Sequence, residues 1–116
     1  MVIDRQLIFN KFNRRCAYCG CPLTIGTLNV DHVVSKKQGG TDEAGNLYPS
    51  CGRCNRFKCV YSIEEFRHEL NMQTSRLTKN AQFMRALDYK QIKYTGNRIV
   101  FHFEQPKGVS DGFCNT

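Results

Sequence analysis

The chain has 116 residues, 41% of them hydrophobic and none of them tryptophan, which suits one small domain with a modest core. No apolar run approaches the roughly 20 residues that a membrane span requires, and the charged N-terminus, which lacks a small-residue cleavage site, is unlike a signal peptide. The formal charge of +7, from 17 basic and 10 acidic residues, favours a polyanionic partner, most commonly nucleic acid. We therefore expect an intracellular protein with no membrane partner.

The first half of the chain is predicted to contain a helix, a strand, a loop and a second helix. The first helix is predicted over residues 4–13, with Asp4 as its N-cap and apolar residues at helical spacing. Alternating apolar and polar residues over 28–35 predict a strand pair or hairpin. Residues 35–45 are predicted to form a loop in which a Gly-Gly pair permits positive φ. The second helix is predicted to begin inside the second pair of cysteines.

The second half is predicted to contain two more helices and a hairpin. A capping box at residues 62–65 opens one helix, and a further helix is predicted over residues 79–89. Two alternating runs around a Gly-Asn turn predict a hairpin over residues 92–104. No internal repeat is visible. The predicted organisation is a single domain, residues 1–116, with a motif core at 16–58, C-terminal helices and a hairpin at 62–104, and a flexible tail at 106–116.

Four of the seven cysteines form two C-x-x-C pairs, and these pairs together predict a metal site. In a chain without a signal peptide, such pairs are better explained by metal ligation than by disulfides. Four thiolates with no further ligand describe a closed, structural Zn²⁺ site. The alternatives are that Cys21 or Cys59 replaces one ligand, or that the thiols are simply buried. The predicted ligands are Cys16, Cys19, Cys51 and Cys54.

Polar residues that can carry chemistry lie between and beside the two cysteine pairs. Asp31 and His32 are adjacent, and Asn55 directly follows a cysteine, so a bound zinc would draw these residues together. On an ideal strand Asp31 and His32 face opposite sides, so they share one site only where the strand bends or ends. Taken singly, Asn46 and Asn55 are better explained as turn and cap residues.

The run VDHVVSKKQGG followed by GNLYPSCGRCNRFK resembles the HNH endonuclease family in its four-cysteine, zinc-stapled form. The resemblance covers residues 16–58 and implies a ββα-metal fold. The first His of the family matches His32, its middle Asn matches Asn46, and its third position, which is often His, is Asn55. The prediction is therefore an α+β protein with a small ββα-metal core stapled by zinc, flanked by helices and a C-terminal β-hairpin.

The resemblance implies metal-dependent hydrolysis of DNA phosphodiester bonds that leaves a 5′ phosphate and a 3′ hydroxyl. The predicted catalytic residues are His32, as general base, and Asn46, which is expected to fix the loop and to orient His32 through a hydrogen bond. Asp31 and Asn55 are expected to hold one Mg²⁺ or Mn²⁺. An Asn at the third position leaves the preferred ion open.

Basic residues within the motif are predicted to bind the phosphates of DNA, which supplies affinity without sequence information. Two of them lie on the glycine-rich loop and three on the helix that carries Asn55. For each of them, a solvated charged surface is the alternative. The predicted contacts are Lys36, Lys37, Arg53, Arg56 and Lys58.

These residues leave the partner and the reaction open in several respects. A non-catalytic zinc module that binds nucleic acid or a protein partner is the main alternative to a nuclease, and RNA is an alternative to double-stranded DNA. Cutting both strands would favour a homodimer, and nicking would favour a monomer. A regulatory protein is a further candidate partner, and a phage or mobile element is a candidate source of the chain.

Overall fold

The computed structural model describes residues 3–106 of the chain. This part divides into two compact units, the first comprising residues 3–63 and 100–106 and the second comprising residues 64–99. The predicted flexible tail lies outside the described residues except for Pro106. In the described part, no helix is both long enough and apolar enough to cross a bilayer.

A two-stranded antiparallel sheet followed by one helix forms the centre of the first unit. β1 (Asn29–His32) pairs with β2 (Leu47–Ser50), so that His32 lies opposite Leu47. α2 (Gly52–Lys58) follows β2 after a single residue. This order, with a cluster of four cysteines beside it, confirms the predicted α+β class and the ββα core.

The loop between the two strands is closed by the side chain of Asn46. Its Oδ1 accepts a hydrogen bond from the Val34 N–H at 2.8 Å, and its Nδ2 donates to the carbonyls of Val34 at 3.0 Å and Thr41 at 2.8 Å. The Val33 N–H donates to the Asn46 carbonyl at 2.9 Å. Because these bonds turn the chain, β1 ends at His32, earlier than the alternating pattern predicts.

The first helix begins as predicted but ends early. α1 (Arg5–Asn10) is capped by Asp4, whose Oδ1 accepts a hydrogen bond from the Leu7 N–H at 3.1 Å. Phe12 and Asn13 then have φ of 48° and 58°. Residues in this left-handed region cannot continue a right-handed helix, so the chain turns here towards the first cysteine pair.

Aromatic side chains fill much of the core of the first unit. Tyr18 packs edge-to-face against Phe101 and Phe103, with ring centroids 5.4 and 6.1 Å apart. The Tyr48 ring lies 5.1 Å from Phe103 and 5.1 Å from Phe12. Such pairs each contribute about 0.5–1.5 kcal/mol beyond the burial of apolar area. These rings join the first cysteine pair, β2 and the C-terminal segment of the unit.

The β-hairpin predicted over residues 92–104 is wrong. No strand forms in that range, all of which is described, and a short 3₁₀-helix lies near its end. The backbone N–H groups of His102 and Phe103 instead donate to the carbonyls of Tyr18 and Ala17, at 3.0 and 2.8 Å. The two carbonyls between Cys16 and Cys19 therefore accept the hydrogen bonds that a second hairpin strand would need.

Two helices make up most of the second unit, and both were predicted from the sequence. α3 (Ile63–Leu77) begins directly after the predicted capping serine, and α4 (Ala81–Asp88) lies inside the range predicted for the last helix. The Asn80 Oδ1 caps α4 by accepting a hydrogen bond from the Phe83 N–H at 3.0 Å.

We predict that Gly40→Ala destabilises the protein by about 1–3 kcal/mol, because a Cβ there would lie 1.7 Å from the Val34 carbonyl oxygen and 2.9 Å from the Asn46 Nδ2. Gly45→Ala is the matched control, since a Cβ at that position meets no atom within 4 Å. Urea denaturation of both variants measures the difference. Equal free energies of unfolding would contradict this account of the loop.

Candidate metal centre and active site

Four thiols from two separate segments meet in the first unit. Cys16 and Cys19 lie in a turn completed by Gly20, whose φ is 82°. Cys51 is the N-cap of α2, and its sulfur accepts a hydrogen bond from the N–H of Cys54 in the first turn of that helix at 3.4 Å. The helix start and the turn thus aim all four side chains at one point.

The spacing of these sulfurs fits a tetrahedral zinc ion. The four Sγ atoms lie within 4.8 Å of one another, and those of Cys19 and Cys51 are 3.8 Å apart. Zinc–sulfur bonds of about 2.3 Å place the sulfurs of a tetrahedral site about 3.8 Å apart. Neither Cys21 nor Cys59 belongs to the cluster, so the four predicted ligands are the ones that the fold brings together.

The four thiols strongly change one another's acidity. A hydrogen bond from Cys19 is the main cause that lowers the pKa of Cys16 to about 6, and a hydrogen bond from Cys16 is the main cause that lowers the pKa of Cys51. The same network raises the pKa values of Cys19 and Cys54, first through their hydrogen bonds with Cys16. Two of the sulfurs therefore favour the thiolate form and accept hydrogen bonds from the other two thiols. A divalent cation can take the place of those thiol protons.

A cavity of about 240 Å³ lies where β1 ends, beside α2. Asp31 and His32 both line it because β1 ends at His32, and Asn55 lines it from α2. The Asn55 carboxamide makes no hydrogen bond to any residue in the range 3–106, so it is available to a ligand in the cavity. With Lys36, four of the site residues that the sequence singled out line this cavity. Its full lining is Val30, Asp31, His32, Ser35, Lys36, Asn55 and Cys59.

The imidazole of His32 is held by Asp42, which the sequence analysis did not single out. The Nε2 atom lies 2.7 Å from the Asp42 Oδ1, and the Lys36 Nζ lies 2.9 Å from the Oδ2 of the same carboxylate. The hydrogen bond with His32, and then that with Lys36, holds the pKa of Asp42 below its ordinary value. Asp42 is therefore an ionised acceptor and the Nε2 atom of His32 is the donor, which in the neutral tautomer leaves the lone pair on Nδ1.

This contact corrects one part of the predicted role of Asn46. All three side-chain hydrogen bonds of Asn46 go to loop backbone, so it fixes the loop as expected but does not bond to His32. The sequence signal for Asp42 is weak, because it is one of two adjacent acidic residues in a loop that also carries two lysines. Its distance from His32 depends on how that loop folds.

Asp31 lies in a buried cluster with Tyr18 and Lys58. The Tyr18 hydroxyl donates to the Asp31 Oδ2, and the Lys58 Nζ lies 3.1 Å from the same oxygen. The Asp31 side chain is 4% exposed and that of Lys58 is 0% exposed. Burial, followed by the charge of Asp31, raises the pKa of Tyr18 above its ordinary value, so the phenol stays protonated and remains a donor.

Lys58 was predicted to contact nucleic acid, and that prediction is wrong because its ammonium is entirely buried. Besides Asp31, the Nζ atom donates to the carbonyls of His32 at 3.1 Å and Val33 at 3.3 Å. Three acceptors thus satisfy the three N–H donors of the ammonium group, so no donor of Lys58 is left to bind a phosphate. The other four predicted contacts are exposed: Lys36, Lys37, Arg53 and Arg56.

A model of the HNH endonuclease family matches residues 16–58, which contain both cysteine pairs, the sheet, α2 and the residues of the cavity named above. Residues 16–58 form an HNH endonuclease domain. Relatives found by sequence agree with this assignment. The chain is 45% identical over 47 residues to the CRISPR-associated endonuclease Cas9 of Corynebacterium diphtheriae, and 41% identical over 44 residues to that of Actinomyces naeslundii.

The relatives are much longer than this chain. The two Cas9 matches cover 40% and 37% of this chain but 4% of each Cas9. A methionyl-tRNA formyltransferase of Rickettsia typhi is 32% identical over 65 residues, which is 53% of this chain and 22% of that enzyme. No solved structure matches the chain. The chain therefore spans only a small part of the length of each of these relatives.

We predict that Cys51→Ser lowers the free energy of unfolding by several kcal/mol in zinc-loaded protein, because the binding energy of a structural metal is folding energy. Cys59→Ser is the matched control, since that thiol is exposed and outside the cluster. Urea denaturation with and without a zinc chelator provides the measurement. If the chelator lowers the stability of wild type no more than that of Cys51→Ser, the cluster is not a zinc site.

Proposed function

We propose that this protein is a metal-dependent endonuclease that hydrolyses phosphodiester bonds of DNA. The observation that carries the proposal is the cavity in which Asp31, His32 and Asn55 lie together within the HNH domain. A general base and two oxygen donors for a divalent ion are the groups that hydrolysis of an unactivated phosphodiester requires. Zn²⁺ in the cysteine cluster would have a structural role, because four thiolates leave it no open position.

His32 acts as general base in this proposal. Because its Nε2–H donates to the Asp42 carboxylate, Nδ1 is the ring nitrogen that accepts a proton from the attacking water. Asp42 also stabilises the imidazolium that forms when the proton is transferred. The second contact of Asp42, with Lys36, keeps this carboxylate charged and in place.

Asp31 and Asn55 are the residues that would hold Mg²⁺ or Mn²⁺. The Asp31 Oδ1 has no hydrogen-bond or ion-pair partner among the residues that the structure describes, and the Asn55 carboxamide is equally available. Oxygen donors of this kind suit a hard divalent cation. When bound, the ion would polarise the scissile phosphate and stabilise the leaving 3′ oxygen.

Exposed basic residues around the cavity would bind the backbone of the substrate. Lys36 lines the cavity itself, and Lys37 is the next residue on the same loop. Arg53 and Arg56 are exposed on α2, the helix that carries Asn55. Contacts of this kind fix the position of a strand without reading its sequence. A homodimer, a regulatory partner, an intracellular location and a phage or mobile-element source remain predictions.

We predict that the zinc-loaded protein nicks or linearises supercoiled plasmid with Mg²⁺ or Mn²⁺, and that His32→Ala lowers the rate at least about 100-fold because general-base catalysis is lost. His68→Ala is the matched control, since His68 is an exposed residue on α3. Gel analysis of plasmid forms over time gives the rates. Absence of cleavage with every divalent metal, for a single- or double-stranded substrate, would favour a non-catalytic binding module, and cleavage of RNA alone would change the substrate.

We predict that Asp42→Ala lowers kcat about 10–100-fold, the usual effect of removing a residue that orients a catalytic histidine. Glu43→Ala removes the same charge from the neighbouring exposed position and should keep most of the activity. Single-turnover cleavage at saturating substrate separates kcat from binding. Equal losses in the two variants would mean that Asp42 acts only through the charge of the loop.

A further inference from the structure

The buried charge of Lys58 affects how strongly the cavity can bind a cation. Its ammonium lies 3.1 Å from the carboxylate that is proposed to hold the metal, with no exposure to solvent. Lys58 itself does not line the cavity; the lysine that does, Lys36, is paired with Asp42 at 2.9 Å. Each of these two lysines thus has a carboxylate partner. The formal charges of these four groups sum to zero before any ligand enters.

The two partners of Asp31 also leave its oxygens unequal. Tyr18 and Lys58 both contact Oδ2, whereas Oδ1 has no hydrogen-bond or ion-pair partner within residues 3–106. Lys58 additionally donates to the carbonyls of His32 and Val33, which ties the end of β1 to α2. Lys58 therefore helps to fix the orientation of a carboxylate that lines the cavity and, at the same time, cancels its charge.

A site with this balance attracts a divalent cation weakly. Mg²⁺ gives up its hydration shell reluctantly and is usually held by one or two carboxylates together with phosphate oxygens of the substrate. Here one carboxylate, that of Asp31, lines the cavity, and the charge of Lys58 already neutralises it. A phosphodiester in the cavity would supply the missing negative charge, and the cation would in turn neutralise the phosphate.

We propose that Lys58 is a positioning residue that makes the divalent metal and the phosphodiester bind the cavity together rather than independently. This inference rests on the proposed function, specifically on Asp31 as a metal ligand. By thermodynamic linkage, DNA must strengthen metal binding by the same factor by which metal strengthens DNA binding. The two ligands would then be held weakly when alone and firmly as a pair.

The test measures this linkage factor in zinc-loaded protein carrying His32→Ala, so that the DNA is not cut. Free Mn²⁺ is followed by electron paramagnetic resonance with and without a short DNA duplex, after subtraction of binding to the duplex alone. Fluorescence anisotropy of the labelled duplex with and without Mn²⁺ gives the reciprocal measurement. We expect each ligand to tighten the other about tenfold or more.

Lys58→Met in the same background should make Mn²⁺ bind the free protein about tenfold more tightly and should reduce the linkage factor by a similar ratio. Lys58→Gln is the second variant, because it keeps two N–H donors and loses the charge should the apolar side chain fail to fold. Lys79→Met is the matched control: it removes one positive charge from an exposed position and should leave the linkage factor unchanged.

Two results would overturn the inference. One is equal affinity for Mn²⁺ with and without DNA, which needs no Lys58 variant to observe. The other is an undiminished linkage factor in a folded Lys58→Met or Lys58→Gln protein. The nuclease proposal is judged separately, by plasmid cleavage with wild-type protein in the same Mn²⁺ buffer, so active enzyme with unlinked binding would reject only the inference.

Discussion

The buried ion pair between Asp31 and Lys58 is the interaction on which the arrangement of the HNH domain depends. It joins the end of β1 to the last turn of α2. The hydroxyl of Tyr18, which lies between the first two cysteines, donates to the same Asp31 oxygen. Removing one partner of a buried pair typically costs about 3–5 kcal/mol, because the other charge is left without compensation. One carboxylate therefore positions three segments that are far apart in the sequence.

A buried ion pair is a poor source of net stability, since desolvation offsets most of the attraction. Its value here is geometric. Two donors on Oδ2 allow only one orientation of the Asp31 carboxylate, and that orientation leaves Oδ1 without a partner in the described structure. A surface aspartate could adopt many rotamers and would have to be ordered by its ligand. The protein instead meets that ordering cost during folding.

Local signals in the sequence were enough to predict the centre of the fold. The two C-x-x-C spacings specified the four thiols, alternation over 28–35 indicated the first strand, and the resemblance to the HNH family implied the ββα order. The failures involve contacts between distant residues. Lys58 was assigned to the surface because lysine is almost never fully buried, and only its partner Asp31 explains the exception. The predicted hairpin has the right alternation, but its last residues bond to Ala17 and Tyr18 instead.

The same distinction applies to the candidate site. Asp31, His32 and Asn55 could be grouped from the sequence because each lies beside a feature of known geometry, either the strand end or the second cysteine pair. Asp42 could not, because the loop that carries it has no periodicity and its course depends on the three hydrogen bonds of Asn46. Sequence patterns thus predict groups fixed by regular structure, whereas groups fixed by an irregular loop need coordinates.

The cysteine cluster and the cavity use opposite designs, and Asn55 connects them. Cys54 lies in the first turn of α2, and Asn55 is the next residue. An ion that held the Cys54 sulfur would therefore also fix the start of the helix that carries Asn55. Four thiolates would close the first site completely. The second site instead has two available oxygen donors and an open volume of about 240 Å³ for water and phosphate. The closed cysteine site can therefore fix the geometry of the open cavity without taking part in the chemistry there.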